Sequence, residues 1–454
     1  MSYIVFYIAL EVSAQAVTML HMLYLRRNHS TILAWFMVIL FFPFPAFFLY
    51  FIFGNRKIRQ KSKKKELLLH GQIHSISPLN PIEILLESHA IAPATVRNEF
   101  NLCFDGVSAY ESLLNEITKA HESIWISTFI VQNDSVAQTI LEALTQKAMQ
   151  GIEVKLLIDA VGSYRLYLWQ RPLQRFREAG GEVVFFMPIL KDPFKNYINL
   201  RNHRKIYLFD GRTVLAGGMN LGEEYLGPNS MKKRWIDMIF RIEGEAAFLY
   251  AEIFAADFEY ATGKAGAAIR KETRCGRHNA VQVVPSGPDI ASDALYETLL
   301  SAIHSALHKI WIITPYFVPD ETILRALIIA KHKGVDVRLI TPGTSNWVSD
   351  MGRSSYMREA QENGIGIYLY KGPMLHAKAV LFDEYALMLG SVNIDNRSLF
   401  LNYEVVSFVY SPSVIVQMEG WMRDLQGHSS TGIKKGSPGR VMMENFMRVF
   451  SPQL

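Results

Sequence analysis

The sequence predicts an α/β protein of two duplicated lobes packed around one shared active site, preceded by an N-terminal pair of transmembrane helices. Three observations carry the prediction. A short histidine-lysine motif occurs twice with the same internal spacing, further repeats precede each copy, and two apolar stretches open the chain.

The motif reads His203-x-Lys205, four residues, Asp210, six residues, then Gly217-Gly218-x-Asn220. It returns as His376-x-Lys378, four residues, Asp383, six residues, and Gly390-Ser391-x-Asn393. The runs Ile206, Tyr207, Leu208, Phe209 and Ala379, Val380, Leu381, Phe382 are rich in strand formers and lead into turns at Asp210-Gly211 and Asp383-Glu384, so each copy reads as a β-hairpin. A strand's period of two places His203 with Lys205, and His376 with Lys378, on one face. Asp210 and Asp383 fall on the other parity, where they are expected to fix the hairpin or pair with a basic side chain.

Upstream, Tyr110-Glu111-Ser112-Leu113-Leu114 and Ile124-Trp125-Ile126 return as Tyr296-Glu297-Thr298-Leu299-Leu300 and Ile310-Trp311-Ile312, at an offset of 186. The run from Gly151 to Ile158 returns at Gly334 with an offset of 183, and the motifs follow at 173, so the first half holds an insertion around residues 191–202. Helical periodicity, as at 134–150, alternates with short apolar runs, as at 152–158, which predicts parallel-sheet α/β architecture in each half. The expected units are a membrane anchor over 1–65, a first lobe over 66–270 and a second over 271–454. A tail with Val441, Met442, Phe446, Val449 and Phe450 at amphipathic-helix spacing reads as a helix that docks on the protein or lies on the bilayer, with docking favoured.

Residues 4–25 and 31–53 are each long enough to cross a bilayer as a helix. Pro43 and Pro45 would kink the second, so the pair reads as two spans or a membrane-embedded hairpin; Glu11 is expected near one end, at the interface. The net charge of +5 is unevenly placed: residues 1–65 sum to +8 and the remaining 389 to −3. A nucleic-acid enzyme carries its positive charge on the binding domain, so this balance argues against a nucleic-acid partner and for an anionic membrane surface. Seven Lys/Arg between Arg56 and Lys65 outweigh Arg26 and Arg27, which predicts a multi-pass protein with its catalytic part in the cytoplasm. Cys103 and Cys275 are far apart and without metal-ligand spacing, and read as unpaired thiols in a reducing compartment.

Brought together, the hairpins place two imidazoles, two ammonium groups and the amides of Asn220 and Asn393 around one point. That is an anion site already supplied with a nucleophile and an acid, suited to a phosphodiester. Two ammonium groups and the lack of a carboxylate cluster predict chemistry with no metal and no cofactor.

On these residues the chain resembles the phospholipase D superfamily over about residues 100–425 and, within it, the bacterial cardiolipin synthases. The narrower likeness rests on the paired spans and basic run, on Asn220-Leu221-Gly222-Glu223-Glu224-Tyr225, on Asn393-Ile394-Asp395-Asn396-Arg397-Ser398 with Asn402-x-Glu404, and on the tail 440–454. One departure is Gly218, where the second copy has Ser391, which makes the two halves of the site inequivalent.

The resemblance implies that His203, Lys205, Asp210, His376, Lys378 and Asp383 form the catalytic set, that Asn220, Ser391 and Asn393 bind the substrate phosphate, and that Asp237 and Glu404 orient the histidines. It favours His203 as nucleophile and His376 as general acid/base. It further implies a phosphatidyl transfer between two phosphatidylglycerol molecules, through a phosphatidyl-histidine, giving cardiolipin and glycerol at the bacterial cytoplasmic membrane. A membrane-bound phospholipase D, or a phosphatidyltransferase using another alcohol such as serine or ethanolamine, shares the same catalytic pair. A homo-oligomer is compatible with all of this.

Overall fold

The computed structural model describes residues 2–24, 29–53, 80–190, 198–264, 279–290 and 292–448. Helix α1 (Ser2–Tyr24) contains, among the described residues, the one helix long and apolar enough to cross a membrane, over Val5–Tyr24. The second expected span is instead two helices, α2 (His29–Phe41) and α3 (Pro43–Phe53). The break falls at Phe42 because Pro43 has no N–H to donate and disfavours helical geometry in the residue before it. At 13 and 11 residues, each is shorter than the ~20 residues a straight span needs. The three helices pack on one another around Met22, Ile39, Ala46 and Tyr50, and His21 Nδ1 lies 2.8 Å from the Tyr50 hydroxyl. The basic run 56–65 and the loop arginines Arg26 and Arg27 lie outside the described residues.

The first lobe is built on a seven-stranded sheet of β1 (Asn98–Cys103), β2 (Ser123–Thr128), β3 (Glu153–Asp159), β4 (Glu182–Phe186), β5 (Ile206–Phe209), β6 (Thr213–Gly217) and β7 (Ile239–Gly244), in the order β1-β7-β6-β5-β2-β3-β4. The second repeats it with β8 (Val281–Ser286), β9 (Lys309–Ile313), β11 (Asp336–Pro342), β12 (Gly366–Tyr370), β13 (Ala379–Phe382), β14 (Ala386–Gly390) and β16 (Glu404–Val409), and adds β17 (Ser429–Thr431) at one edge. Two short strands, β10 (Phe317–Val318) and β15 (Ile394–Asp395), pair with each other.

Both main sheets are mixed, which corrects the expectation of parallel sheets. Strands β2, β3 and β4 are parallel, joined through helices, whereas β5, β6, β7 and β1 run antiparallel because the motif is a tight hairpin that reverses the chain. The duplication extends to caps. Asp134 accepts the Ala137 N–H at 2.8 Å to start helix Ser135–Met149, and 186 residues on Asp320 accepts the Ile323 N–H at 3.0 Å to start helix Glu321–His332. Each such cap is worth about 1 kcal/mol.

The lobes meet through one shared core. Helix Glu245–Thr262 lies between the sheets: Phe254 stacks on Trp125 of β2 at 5.4 Å, and the Tyr250 hydroxyl bonds Ser407 of β16 at 2.8 Å. At its C-terminal half Asp257 meets the fully buried Arg204 at 2.7 Å, and Arg204 also reaches the Ser286 carbonyl at the end of β8 and Asp289 just past it. Helix α4 (Pro81–Ser88), opened by the reciprocal Asn80–Glu83 capping box, lies within the range read as the first lobe. Its apolar face, Ile82 and Leu86, packs on the second lobe's core. The C-terminal helix Pro438–Arg448 docks on helix Trp347–Glu362 through Arg358–Glu444 and Arg448–Glu359 ion pairs, both 2.6 Å. Cys103 is half-buried and unpaired, and Cys275 lies outside the described residues.

Candidate active site at the lobe interface

The two motifs come together because each lobe lends a short piece of strand to the other. The His203 N–H donates to the Tyr403 carbonyl at 2.8 Å, and the Tyr403 N–H donates to the Arg201 carbonyl at 2.8 Å. The other half does the same: the Ile236 N–H donates to Met374 at 2.8 Å and the His376 N–H to Ile236 at 2.7 Å. These bridges carry the residue after Tyr403, which is Glu404, and the residue after Ile236, which is Asp237, beneath the opposite lobe's histidine.

The acids are therefore exchanged. His203 Nδ1 lies 3.0 Å from both Glu404 carboxylate oxygens, and His376 Nδ1 lies 2.6 Å from Asp237 Oδ2. Along the chain each acid follows the histidine of its own lobe; in space it serves the other. Each carboxylate takes the Nδ1–H, which fixes the tautomer and leaves Nε2 with its lone pair.

The Gly218–Ser391 difference now has a physical cause. Ser391 donates its hydroxyl to Glu404 and accepts the Val405 N–H at 3.1 Å, so it braces that acid. In the first lobe a Cβ at position 218 would lie 2.3 Å from Asp237 Oδ1, so the carboxylate fills the space a serine needs. Asp237 is held instead by the Met238 N–H at 2.7 Å.

Lys205 Nζ donates to the His203 carbonyl at 2.8 Å, and Lys378 Nζ lies 3.1 Å from His376 Nε2. Both lysines are buried, and burial pushes them down: Lys205 well below its ordinary range and Lys378 to about 8, against the opposing pull of the nearby Glu404 and Asp237. Burial and Lys378 push His376 down to about 3, and burial lowers His203 against the pull of Glu404. Each lobe's lysine also lowers the other lobe's histidine, which shows how near the four groups lie. Burial alone would raise Glu404 and Asp237, but the facing imidazoles and lysines hold both carboxyls below their usual range. These shifts favour the neutral form of both imidazoles and the ionised form of both acids.

Asn220 and Asn393 are not equivalent. Asn220 Oδ1 accepts the Ile130 N–H at 3.2 Å, while Asn393 Oδ1 is buried without a hydrogen-bond partner among the described residues and Asn393 lines a cavity of about 230 Å³. His203, Phe129, Tyr316, Ser349 and Arg397 share that cavity.

Asp210 and Asp383 are not in the site. At the far end of each hairpin, in the left-handed region with φ of 51° and 47°, they accept backbone N–H groups: those of His121, Glu122 and Ser123 for Asp210, and of Leu307, His308 and Lys309 for Asp383. The reading from strand parity, a hairpin-fixing role, describes them; their inclusion in the catalytic set, which came from the resemblance, does not.

Sequence reasoning passed over the aromatic walls and the buried clamp. Phe129 packs edge-on to His203 at 5.1 Å, and Trp235 lies 5.1 Å from His376. Arg204, between His203 and Lys205, points to the opposite face; its Nε donates to the Glu404 carbonyl at 2.9 Å, so the clamp that joins the lobes also holds the backbone of His203's acid. The strand parity that pairs His203 with Lys205 was the available signal for Arg204.

Comparison with known proteins gives a consistent set of likenesses. The family described as "Cardiolipin synthase, PLD-like domain" matches residues 113–257 and 299–426, one segment in each lobe. A second, "Phospholipase D-nuclease N-terminal", matches residues 15–55. Cardiolipin synthase 1 of Bacillus cereus is 33% identical, over 94% of this chain and 90% of its own. A cardiolipin synthase of Clostridium perfringens is 31% identical, over 94% of this chain and 95% of its own. Among solved structures, phosphatidylserine synthase of Haemophilus influenzae superposes with a TM-score of 0.63 at 15% identity, covering 83% of this chain and 100% of that one, a likeness of fold.

Proposed function

The chain belongs to the cardiolipin synthases of the phospholipase D superfamily, a group of phosphatidyltransferases, and from that premise we propose that it moves a phosphatidyl group from one phosphatidylglycerol to another through a phosphatidyl-histidine, releasing glycerol. The observation that carries the reading is the convergence of two acid-oriented imidazoles and two buried lysines at the lobe interface.

In the first step His203 Nε2 attacks phosphorus. The P–N bond forms, the bond to the glycerol oxygen breaks, and His376 gives its proton to the departing alkoxide. For that His376 must be protonated when substrate is bound. A phosphodiester anion between Lys205 and Lys378 offsets the charges that depress His376, so binding raises its pKa toward the range where it can act as an acid. In the second step His376 takes the proton from the primary hydroxyl of a second phosphatidylglycerol. That oxygen attacks phosphorus, the P–N bond breaks, and cardiolipin leaves. Lys205, Lys378 and Asn393 hold the non-bridging oxygens, and Glu404 and Asp237 stabilise each imidazolium as it forms. The exchange of one alcohol for another is near thermoneutral and needs no nucleotide.

Helix α1 supports placement at a membrane. The basic run 56–65 favours a catalytic part on the cytoplasmic side of a bacterial membrane, crossed more than once by the N-terminal helices. The test is to supply the purified chain with phosphatidylglycerol and follow both products, with serine or ethanolamine added in parallel. Equal amounts of cardiolipin and glycerol are expected; phosphatidic acid, or a phosphatidyl product of the added alcohol in their place, overturns the reading.

A further inference from the structure

Large apolar side chains stand exposed at two places that the duplication makes equivalent. After β3, Tyr164, Leu168 and Trp169 are 53%, 51% and 66% exposed; after β11, Trp347 and Val348 are 64% and 43% exposed. The 183-residue offset that superposes β3 on β11 carries Tyr164 onto Trp347. Both turns leave the C-terminal ends of parallel strands, the end of an α/β sheet where ligands bind.

One turn contacts a residue that lines the catalytic cavity, and the other lines it directly. Ser163, next to Tyr164, donates its hydroxyl to the carbonyl of Phe129 at 3.1 Å, and Phe129 lines the cavity with His203. Ser349, two residues past Trp347, lines the same cavity. The exposed aromatics therefore flank the mouth of the site, one set from each lobe.

Soluble surfaces seldom leave tryptophans open in pairs around a pocket, whereas Trp and Tyr favour the boundary between lipid and water. Charge names the lipid. Between Tyr164 and Glu178 the first turn and the short helices after it carry the exposed Arg165, Arg171 and Arg177, together with Arg175, which pairs with Glu142 at 2.8 Å, against the single acid Glu178 in that stretch, in lobes that are net negative. Aromatic side chains for the acyl boundary and arginines for phosphates suit an anionic bilayer surface.

We propose that these two turns are a docking rim that seats the mouth of the catalytic cavity on an anionic bilayer, independently of the N-terminal helices that anchor the chain. The proposal rests on the lipid-transfer reading above for its purpose, though not for its geometry. A headgroup then passes from the bilayer into the cavity without crossing open water, which also limits hydrolysis of a covalent intermediate.

The test uses the full chain reconstituted in vesicles, comparing wild type with the W169A/W347A double variant and its W169F/W347F control. Cardiolipin formation from bilayer phosphatidylglycerol is expected to fall about tenfold or more in the alanine variant and to be largely kept with phenylalanine. Turnover of a short-chain phosphatidylglycerol dissolved as monomers is expected to stay at the wild-type rate. Equal bilayer rates, or equal losses on both substrates, overturn the rim. Quenching of tryptophan emission by acyl-chain-brominated anionic lipid separates the two readings: a quenched component present in wild type and absent from W169F/W347F supports the rim even if no lipid is turned over. Identical quenching in both, as a protein partner on this face would give, counts against it.

Discussion

His203 and Glu404 belong to different lobes and are 201 residues apart in the chain, yet Nδ1 of one lies 3.0 Å from both carboxylate oxygens of the other. His376 and Asp237 make the reciprocal pair at 2.6 Å. Neither lobe contains a complete histidine–acid couple, so the chemistry exists only when the two are joined. This exchange sets the pattern of mutational effects.

Glu404→Gln is expected to behave like a His203 variant and Asp237→Asn like a His376 variant. The general acid is dispensable when the leaving group is already good. A phosphatidyl ester of p-nitrophenol should therefore release nitrophenol from Asp237→Asn and His376→Ala chains, while Glu404→Gln and His203→Ala lose about 10²-fold or more. Pairing within lobes would give the opposite grouping of the acid variants.

The Gly218–Ser391 contrast predicts unequal effects. In Gly218→Ser the new Cβ collides with the Asp237 carboxylate, because its 2.3 Å approach leaves no room, and His376 loses its orienting acid. Activity should fall about 10²-fold. Ser391→Ala removes one brace of Glu404 and should cost about tenfold, the scale of one hydrogen bond to a charged group. Steady-state kcat values for both variants check the order.

Asp210→Ala and Asp383→Ala should act on stability. Each removes a carboxylate that accepts three backbone N–H groups. A loss of about 2–3 kcal/mol is expected, read as a lowered thermal midpoint with kcat of the folded fraction close to wild type. A large drop in kcat with an unchanged midpoint would return these residues to the catalytic set.

The pH dependence follows from the buried charges. His376 is held to about 3 in the folded chain, below its ordinary value of 6.5, so the unfolded chain binds more protons between those limits. Stability is fully present above pH 6.5 and is lost as pH falls toward 3, at up to about 1.4 kcal/mol per pH unit for this group. His376→Asn should flatten that part of a midpoint-against-pH curve. On the alkaline side Lys378, at about 8, loses its charge, so kcat/KM should decline above about pH 8. Lys378→Arg should move that limb upward, since a guanidinium keeps its charge.

Much of this was legible in the chain. Doubled spacing predicted the two hairpins and the duplication of the lobes, because period and turn chemistry are local properties. Non-local facts were not legible. Nothing local says that the strands carrying Asp237 and Glu404 bridge to the opposite lobe, nor that α4 packs on the second lobe. The broken second span was half legible: Pro43 announced a kink, but α2 and α3 also pack on α1 around Tyr50, which is a tertiary matter. The roles of Gly218 and Arg204 needed the third dimension, since one depends on where a carboxylate lies and the other on two aspartates far along the chain.

The most direct test of the account is intact-peptide mass spectrometry of the Asp237→Asn chain after a brief exposure to a phosphatidyl ester of p-nitrophenol, with phosphatidylglycerol then added as acceptor. The account predicts a phosphatidyl group on the peptide that contains His203, released as cardiolipin when the acceptor is added. Cardiolipin formed at an undiminished rate with no adduct on that peptide, or an adduct on His376 alone, would contradict it.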